Sequence, residues 1–518
     1  MSPRRGGRFS VTIAFVVLAA AVAQAGVSGE IINRNGWPSF SRFWSSVVRP
    51  ETSAEFLRLT LESTLITFAF AILGTTLALI IGAIGAWGLS ELIQGRSRWW
   101  YLTRAVLVVP RAVHEILWAL MLVLVFGVDP MVAVLAIGLP FGAVTAKVFA
   151  EVLDEADPGA YRTLRASGAG RFQALAYGVL PDVQGELLSY GFYRLECAIR
   201  SAAVLGVIGV GGLGFQLDLS FETLRYHEIW TLIAALMVLS GLADRWSSTI
   251  RRATAPAVRN VSLVVALLCM PLAWRRVGLD LSVLWSGRTL ELGRRLAVEL
   301  VPPRLGLGGW GELIDASIDT AAMSVIATAI AVSIGLVVGV LSARPVRTTA
   351  RPSRAGLMAR IVPRLVLLLA RAVPSPIWAF LFVLILFPGT WPGAVALGVY
   401  NAGVLGRLFA EIFEERDVGP DDALALTGAT SVQILTYGTI PSTASRLISV
   451  ALYRWEVILR ETVVVGVVGA GGLGRLIESH RAARDLQAIT GAILALIVLS
   501  FIVDEISHRL RRSLTGTT

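Results

Sequence analysis

Apolar residues recur along this chain in runs long enough to cross a lipid bilayer, separated by short polar segments. About 20 consecutive apolar residues suffice for a helical span. Runs of that order fall near 11–27, 60–89, 105–127, 131–150, 186–208 and 229–246. A second set falls near 257–274, 318–342, 363–387, 392–412, 446–468 and 486–506. The pattern predicts an all-α integral membrane protein of about twelve spanning helices. The runs at 11–27 and 257–274 are short. The first, with arginines before it and small residues around Ala21-Val22-Ala23-Gln24-Ala25 towards its end, also fits a cleaved secretory signal. The matching run at 257–274 lies mid-chain, where a signal peptide cannot be, and favours a retained first helix.

Composition agrees. Of the 518 residues 55% are hydrophobic and 16% charged, and the mean hydropathy is +0.70. A soluble domain could not hide that much apolar surface. The net charge of +10 lies in short inter-run segments, not on a soluble face. It therefore speaks for membrane topology and against nucleic-acid binding. With the N-terminus in the cytoplasm, the inside segments hold Arg4/Arg5/Arg8, Arg96/Arg98/Arg104, Arg162/Arg165/Arg171, Arg245/Arg251/Arg252, Arg344 to Arg364 and Arg509/Arg511/Arg512. All are basic, and the alternation places both termini inside. Cys197 and Cys269 lie in apolar stretches and predict neither a disulfide nor a metal site.

The chain also matches itself. Arg111-Ala112-Val113 pairs with Arg371-Ala372-Val373, an offset of 371 minus 111, or 260. At that offset Trp118 pairs with Trp378, Phe149-Ala150-Glu151 with Phe409-Ala410-Glu411, and Tyr193-Arg194 with Tyr453-Arg454. Gly211-Gly212-Leu213-Gly214 pairs likewise with Gly471-Gly472-Leu473-Gly474, and Asp244 with Asp504. A duplication divides the chain into residues 1–255 and 256–518. Six helices per copy give both copies the same orientation, with a pathway expected on the axis relating them.

Two segments, 151–181 and 411–441, carry the clearest motif. The first runs from Glu151 through Gly168-Ala169 and Gln173 to Pro181; the second from Glu411 through Asp422, Gly428-Ala429 and Gln433 to Pro441. The glycine permits a sharp turn after one helix, and the proline is expected to stop a second. The spacing resembles the coupling loop of ABC importer permeases. There the family's acidic residue precedes the glycine by six; here that position is Arg162 in one copy and Asp422 in the other.

Ionisable residues recur inside the fifth run of each copy: Arg194, Glu196 and Arg200, and Arg454, Glu456 and Arg460. A charge at bilayer depth costs roughly 2.5–3.5 kcal/mol on insertion scales and rarely faces lipid. Glu196/Arg200 and Glu456/Arg460 stand four apart and could pair along the helix. They fit either structural ion pairs or a pathway for an anion, since guanidinium suits phosphate-like oxyanions. His114 and Glu115 occur in the first copy only, opposite Pro374 and Ser375, and fit local hydrogen bonding or a pathway role.

Together with the Tyr-Arg-x-Glu segments and the glycine-rich turns, these residues resemble the permease of phosphonate-type ABC importers over roughly 60–250 and 318–512. The resemblance implies a fused permease dimer of type I importer fold. It implies two cytoplasmic ATPase subunits, one per coupling loop, and an extracytoplasmic binding protein. It implies a place in the bacterial inner membrane and alternating access as mechanism. Another cargo such as methionine or phosphate, or an ion-coupled secondary transporter with parallel repeats, stays open at this point.

No catalytic residue, metal site or cofactor is expected on the chain. A P-loop needs lysine after glycine, and the one lysine, Lys147, follows an alanine in an apolar run. ATP and Mg are therefore expected on the partner subunits. Gly209-Val-Gly211-Gly212-Leu-Gly214 satisfies the dinucleotide fingerprint but follows an apolar run instead of a strand, so it is read as a tight turn.

Overall fold

The computed structural model describes residues 16–26, 31–252, 256–306, 308–343 and 354–515. The spans of the first repeat begin with α1 (Ala54–Leu89), α2 (Arg98–Ala112), α3 (Glu115–Phe126) and α4 (Pro130–Glu155). Short helices α5 (Gly159–Ala166) and α6 (Arg171–Gly178) follow, then α7 (Leu180–Leu205), α8 (Leu213–Glu222) and α9 (Tyr226–Arg252). After α10 (Pro256–Val277) the second repeat runs α11 (Gly309–Ser342), α12 (Arg354–Ala372), α13 (Ser375–Ile385) and α14 (Thr390–Glu414). It ends with α15 (Gly419–Leu426), α16 (Ser431–Ile434), α17 (Ile440–Val467), α18 (Gly472–Ala482) and α19 (Leu486–Thr515). Among the described residues there is no strand beyond an isolated bridge between Ile32 and Leu386.

Among the described residues seven helices are long and apolar enough to span a bilayer, and four bent pairs raise the number to eleven if each pair is one span. The first expected run, 11–27, lies partly outside the described residues; its helix is described from Val16. Two runs expected as straight spans, 105–127 and 363–387, are broken. α2 meets α3 at 92°, and Ile361–Ala372 meets Ser375–Ile385 at 94°. The physical cause sits at the corner. His114 caps α3 by accepting the amide of Ile116 on its Nδ1 at 3.3 Å, and Pro374 takes the same place before α13. A residue at a helix N-cap leaves helical geometry, so the chain turns there.

The packing falls into two compact units, residues 45–298 and residues 1–44 with 299–518. This division differs from the sequence boundary at 255/256. α10, which opens the second repeat in sequence, packs on α1 of the first. It is also tied to α9 by a hydrogen bond from Trp246 Nε1 to Ser262 Oγ, at 3.1 Å. The described part of the first run belongs with the second repeat. There Gln24 Nε2 donates to Asp319 Oδ1 at 3.0 Å and Trp391 Nε1 to the Gly26 carbonyl at 3.0 Å. Val261, Val264, Leu267, Leu268 and Leu272 on α10 stay exposed, as a lipid-facing helix requires.

Within each unit the longest contact joins the first long helix to the fourth element of the repeat, α1 to α4 and α11 to α14. Small residues bring the backbones together, as in membrane bundles generally. A Cβ on Gly82 would meet Thr145 Cγ2 at 2.5 Å, and one on Gly339 would meet the Gly406 carbonyl at 2.9 Å.

Candidate functional site: coupling knobs and intramembrane charges

Each repeat builds one short helical knob between its fourth and fifth spanning elements. In the first, α5 ends as Gly168 turns to φ +90°. The Gly168 amide reaches the Arg165 carbonyl at 3.2 Å, and the Ala169 amide the Leu164 carbonyl at 3.0 Å. The left-handed turn satisfies carbonyls the helix end leaves open. Gln173 Oε1 then accepts the Gly170 amide at 2.9 Å and starts α6. In the second, Gly428 has φ +81°. Ala429 bonds back to Leu424 at 3.2 Å, and Gln433 Oε1 accepts the Thr430 amide at 2.8 Å. The repeated glycine, alanine and glutamine thus hold the same turn twice.

The proline differs from expectation. α6 stops at Gly178, before the proline, and Pro181 opens α7 in its first turn. In the second repeat the chain widens to π geometry over Leu435–Thr439 and runs on into α17, with Pro441 again in the first turn. Proline lacks only an amide that the first turn leaves unbonded anyway, so Pro181 opens α7 instead of ending α6, while Pro441 sits just after the π segment in a helix that continues through it.

The knobs share shape and differ in charge. Tyr161 and Asp421 occupy the same buried repeat position. Asp421 accepts Arg416 Nε at 2.9 Å and Thr439 Oγ1 at 2.9 Å. The first knob carries Arg162, Arg165 and Arg171; the second carries Asp421 and Asp422. Tyr177 and Tyr437, another repeat pair, stand 79% and 75% exposed. Ahead of the knobs Glu151 pairs with Lys147 at 3.7 Å, and Glu411 with Arg407 at 3.1 Å.

The intramembrane charges on α7 and α17 are arranged differently in the two repeats. Arg194 donates Nε to the Tyr190 hydroxyl at 2.7 Å. Its guanidinium lies 5.3, 4.9 and 5.8 Å from the ring centroids of Phe141, Tyr190 and Tyr193. Arg454, at the same repeat position, meets a carboxylate instead: Nη2 lies 2.9 Å from Glu461 Oε1, while Nε donates to Asn401 Oδ1. Asn401 Nδ2 closes the ring to Glu461 Oε2 at 2.8 Å. Phe141 stands where Asn401 does, and Ser201 where Glu461 does.

Arg200 lies 3.6 Å from Glu196, as spacing predicts. Glu456 instead takes Arg511 of α19 at 2.7 Å, and Arg460 Nε donates to the Glu456 carbonyl at 3.3 Å. The first repeat places its further carboxylate on α3, where Glu115 Oε1 accepts Ser201 Oγ at 2.6 Å and Oε2 lies 3.4 Å from His114 Nδ1. Sequence reasoning missed Asn401, Glu461, Ser201 and Arg511. For Asn401, Glu461 and Ser201 the available signal was a change of polarity between aligned repeat positions; Arg511 aligns with Arg251 and carried no such signal.

The glycine-rich segments are turns, as expected. α7 and α8 bend by 56° and α17 and α18 by 40°. Gly211 and Gly212 have φ +103° and +82°, and no strand precedes them. A hydroxyl holds each turn: Thr67 Oγ1 accepts the Leu213 amide at 2.8 Å, and Thr320 Oγ1 the Leu473 amide at 2.8 Å. The two threonines are 320 minus 67, or 253, apart. The repeat offset therefore grows from 253 to 260 between the first and second spanning elements, where the second copy is seven residues longer.

A family profile described as "Binding-protein-dependent transport system inner membrane component" matches residues 78–260 and again 335–516. The chain belongs to this family. It is thus a fused double permease of ABC type, a transport component and not an enzyme. It is 28% identical over 459 residues, 86% of its length and 84% of the relative's, to the phosphate-import permease protein PhnE of Mycolicibacterium smegmatis. It is 35% identical over 249 residues, 48% of its length and 85% of the relative's, to the phosphite transport system permease protein PtxC of Stutzerimonas stutzeri. Among solved structures, 40% of the chain superposes on 99% of a chain of the MetNI methionine ABC transporter in an inward-facing form. That match has a TM-score of 0.36 and 22% identity.

Proposed function

We propose that this chain forms the translocation pathway of an ATP-driven importer for phosphonate or a related phosphorus oxyanion. Two cytoplasmic ATPase subunits dock on the knobs at 151–181 and 411–441, one on each, and hold ATP and Mg. The chain itself carries no cofactor. One extracytoplasmic binding protein delivers the cargo. Both termini lie in the cytoplasm of a bacterial cell, and residues 1–255 and 256–518 descend from one ancestral permease.

The observation that carries this reading is the pair of knobs. Two copies of one turn geometry, each presenting an exposed tyrosine and glycine corner, suit a machine with two like docking partners. A secondary transporter has no use for them. The cargo rests on the names of the relatives and on arginine at bilayer depth in both repeats, a residue suited to forked recognition of oxyanions.

The test is reconstitution of the chain with its ATPase and binding protein in proteoliposomes. Methylphosphonate, phosphite, phosphate and methionine are offered in turn. ATP-dependent uptake of a phosphorus oxyanion, stimulated by binding protein, is expected. Uptake that ignores ATP and follows a proton gradient overturns the reading.

A further inference from the structure

Duplication makes the two repeats controls for one another. Arg194 and Arg454 hold the same repeat position, yet one is neutralised and the other is not. Arg454 has a carboxylate at 2.9 Å and an amide oxygen besides. Among the described residues Arg194 has no carboxylate within ion-pair distance; its partners are one hydroxyl and three aromatic rings. Both positions that neutralise the second arginine are changed in the first: Asn401 to Phe141 and Glu461 to Ser201. The carboxylate nearest in sequence logic, Glu115, is engaged by Ser201 and stands beside His114.

A guanidinium has five N–H donors in a planar fork. Nε and one Nη2 hydrogen of Arg194 go to the Tyr190 hydroxyl, which leaves three without a protein acceptor among the described residues. Cation–π contacts stabilise the charge without neutralising it or using those donors. Tyr193, one wall of the cage, is 41% exposed. A retained positive charge at bilayer depth is costly and points to a site where the charge is used.

We infer that the Arg194 guanidinium, walled by Phe141, Tyr190 and Tyr193, is a binding subsite for a tetrahedral oxyanion during passage, and that Arg454 is a structural cation. This assignment rests on the transport reading above. It makes the duplicated permease functionally one-sided: the first repeat supplies the cationic contact and the second supplies a neutral, self-satisfied counterpart. A single fixed charge holds a dehydrated anion less tightly than two would, so release stays feasible.

The experiment uses the whole complex in proteoliposomes, with methylphosphonate and inorganic phosphate as probes. Arg194→Gln is expected to lower uptake at saturating loaded binding protein ten-fold or more, with Arg194→Lys recovering part of it. A second variant, Glu115→Ser/Phe141→Asn/Ser201→Glu, transplants the neutralising set of the second repeat and keeps Arg194. It is expected to lose uptake as well, because the arginine is then occupied by a carboxylate. Arg454→Gln is expected to lower the thermal midpoint while uptake stays within three-fold.

The inference is overturned if the transplanted variant carries either anion at wild-type rate, since an arginine serving only structure would be held more firmly there. It is equally overturned if Arg194→Gln carries them at wild-type rate. Should Arg194→Gln fail to assemble, the transplanted variant decides alone. If the unmodified complex moves no phosphorus oxyanion, the transport reading fails first; if it does and the variants match it, only the Arg194 assignment fails.

Discussion

Replacing Glu461 by alanine removes the carboxylate that holds Arg454 at 2.9 Å and Asn401 at 2.8 Å. The arginine and glutamate side chains are only 15% and 10% accessible, and Asn401 is fully buried. Two magnitudes compete. Interhelical hydrogen bonds inside membranes average about 0.6 kcal/mol, because the unfolded chain in the bilayer also finds partners. Stranding a buried charge by deleting its partner costs about 3–5 kcal/mol. The second dominates here, since the buried guanidinium loses the carboxylate that balances its charge and has no way to shed its proton. The expected cost of Glu461→Ala is about 3 kcal/mol, and Arg454→Met should cost about the same by stranding the carboxylate. Combining Glu461→Ala with Arg454→Met removes both charges and should cost less than either single change, about 1–2 kcal/mol. The assay is equilibrium unfolding of the purified chain in mixed micelles over the full double-mutant cycle. A double mutant whose cost equals the sum of the two singles would refute the reasoning, because the two groups would then not be answering one another's charge.

Three further perturbations follow from the turns. Alanine at Gly214 would put a Cβ 1.8 Å from the Ala203 carbonyl, and at Gly474 2.6 Å from that of Val463. Each substitution should cost on the order of 2–3 kcal/mol and lower the yield of monodisperse protein on size exclusion. Gly168→Ala forces an L side chain into φ +90°, a cost of about 1–2 kcal/mol. That strain is confined to the knob, so pull-down with the ATPase subunit should weaken while the melting midpoint of the chain hardly moves. Asp421→Ala removes the carboxylate that accepts from Arg416 Nε and Thr439 Oγ1 and should cost about 2 kcal/mol. Its signature is faster proteolysis between Arg416 and Thr439.

Much of this architecture was legible in the sequence, for a physical reason. Bilayer crossing demands long apolar runs, and the turn of each knob demands glycine where φ turns positive, so both leave marks that survive duplication. Direction leaves none. Apolar residues continue on both sides of His114 and of Pro374, so hydropathy sees one run where the chain turns by more than 90°. The exchange of leading helices is invisible for a related cause: a lipid-facing helix such as α10 has the same composition whichever partner it packs on. Interhelical pairs lie between these extremes. Nothing within α14 marks Asn401 as an anchor, and nothing within α17 separates Glu461 from Glu456. Their meaning appears only when the repeats are laid over each other. Asn401 against Phe141 and Glu461 against Ser201 change polarity together, sixty residues apart in sequence, beside one arginine that does not change. Two linked changes around a constant charge are what compensation of that charge requires, and their absence from the first repeat leaves Arg194 with a hydroxyl and aromatic rings where Arg454 has a carboxylate.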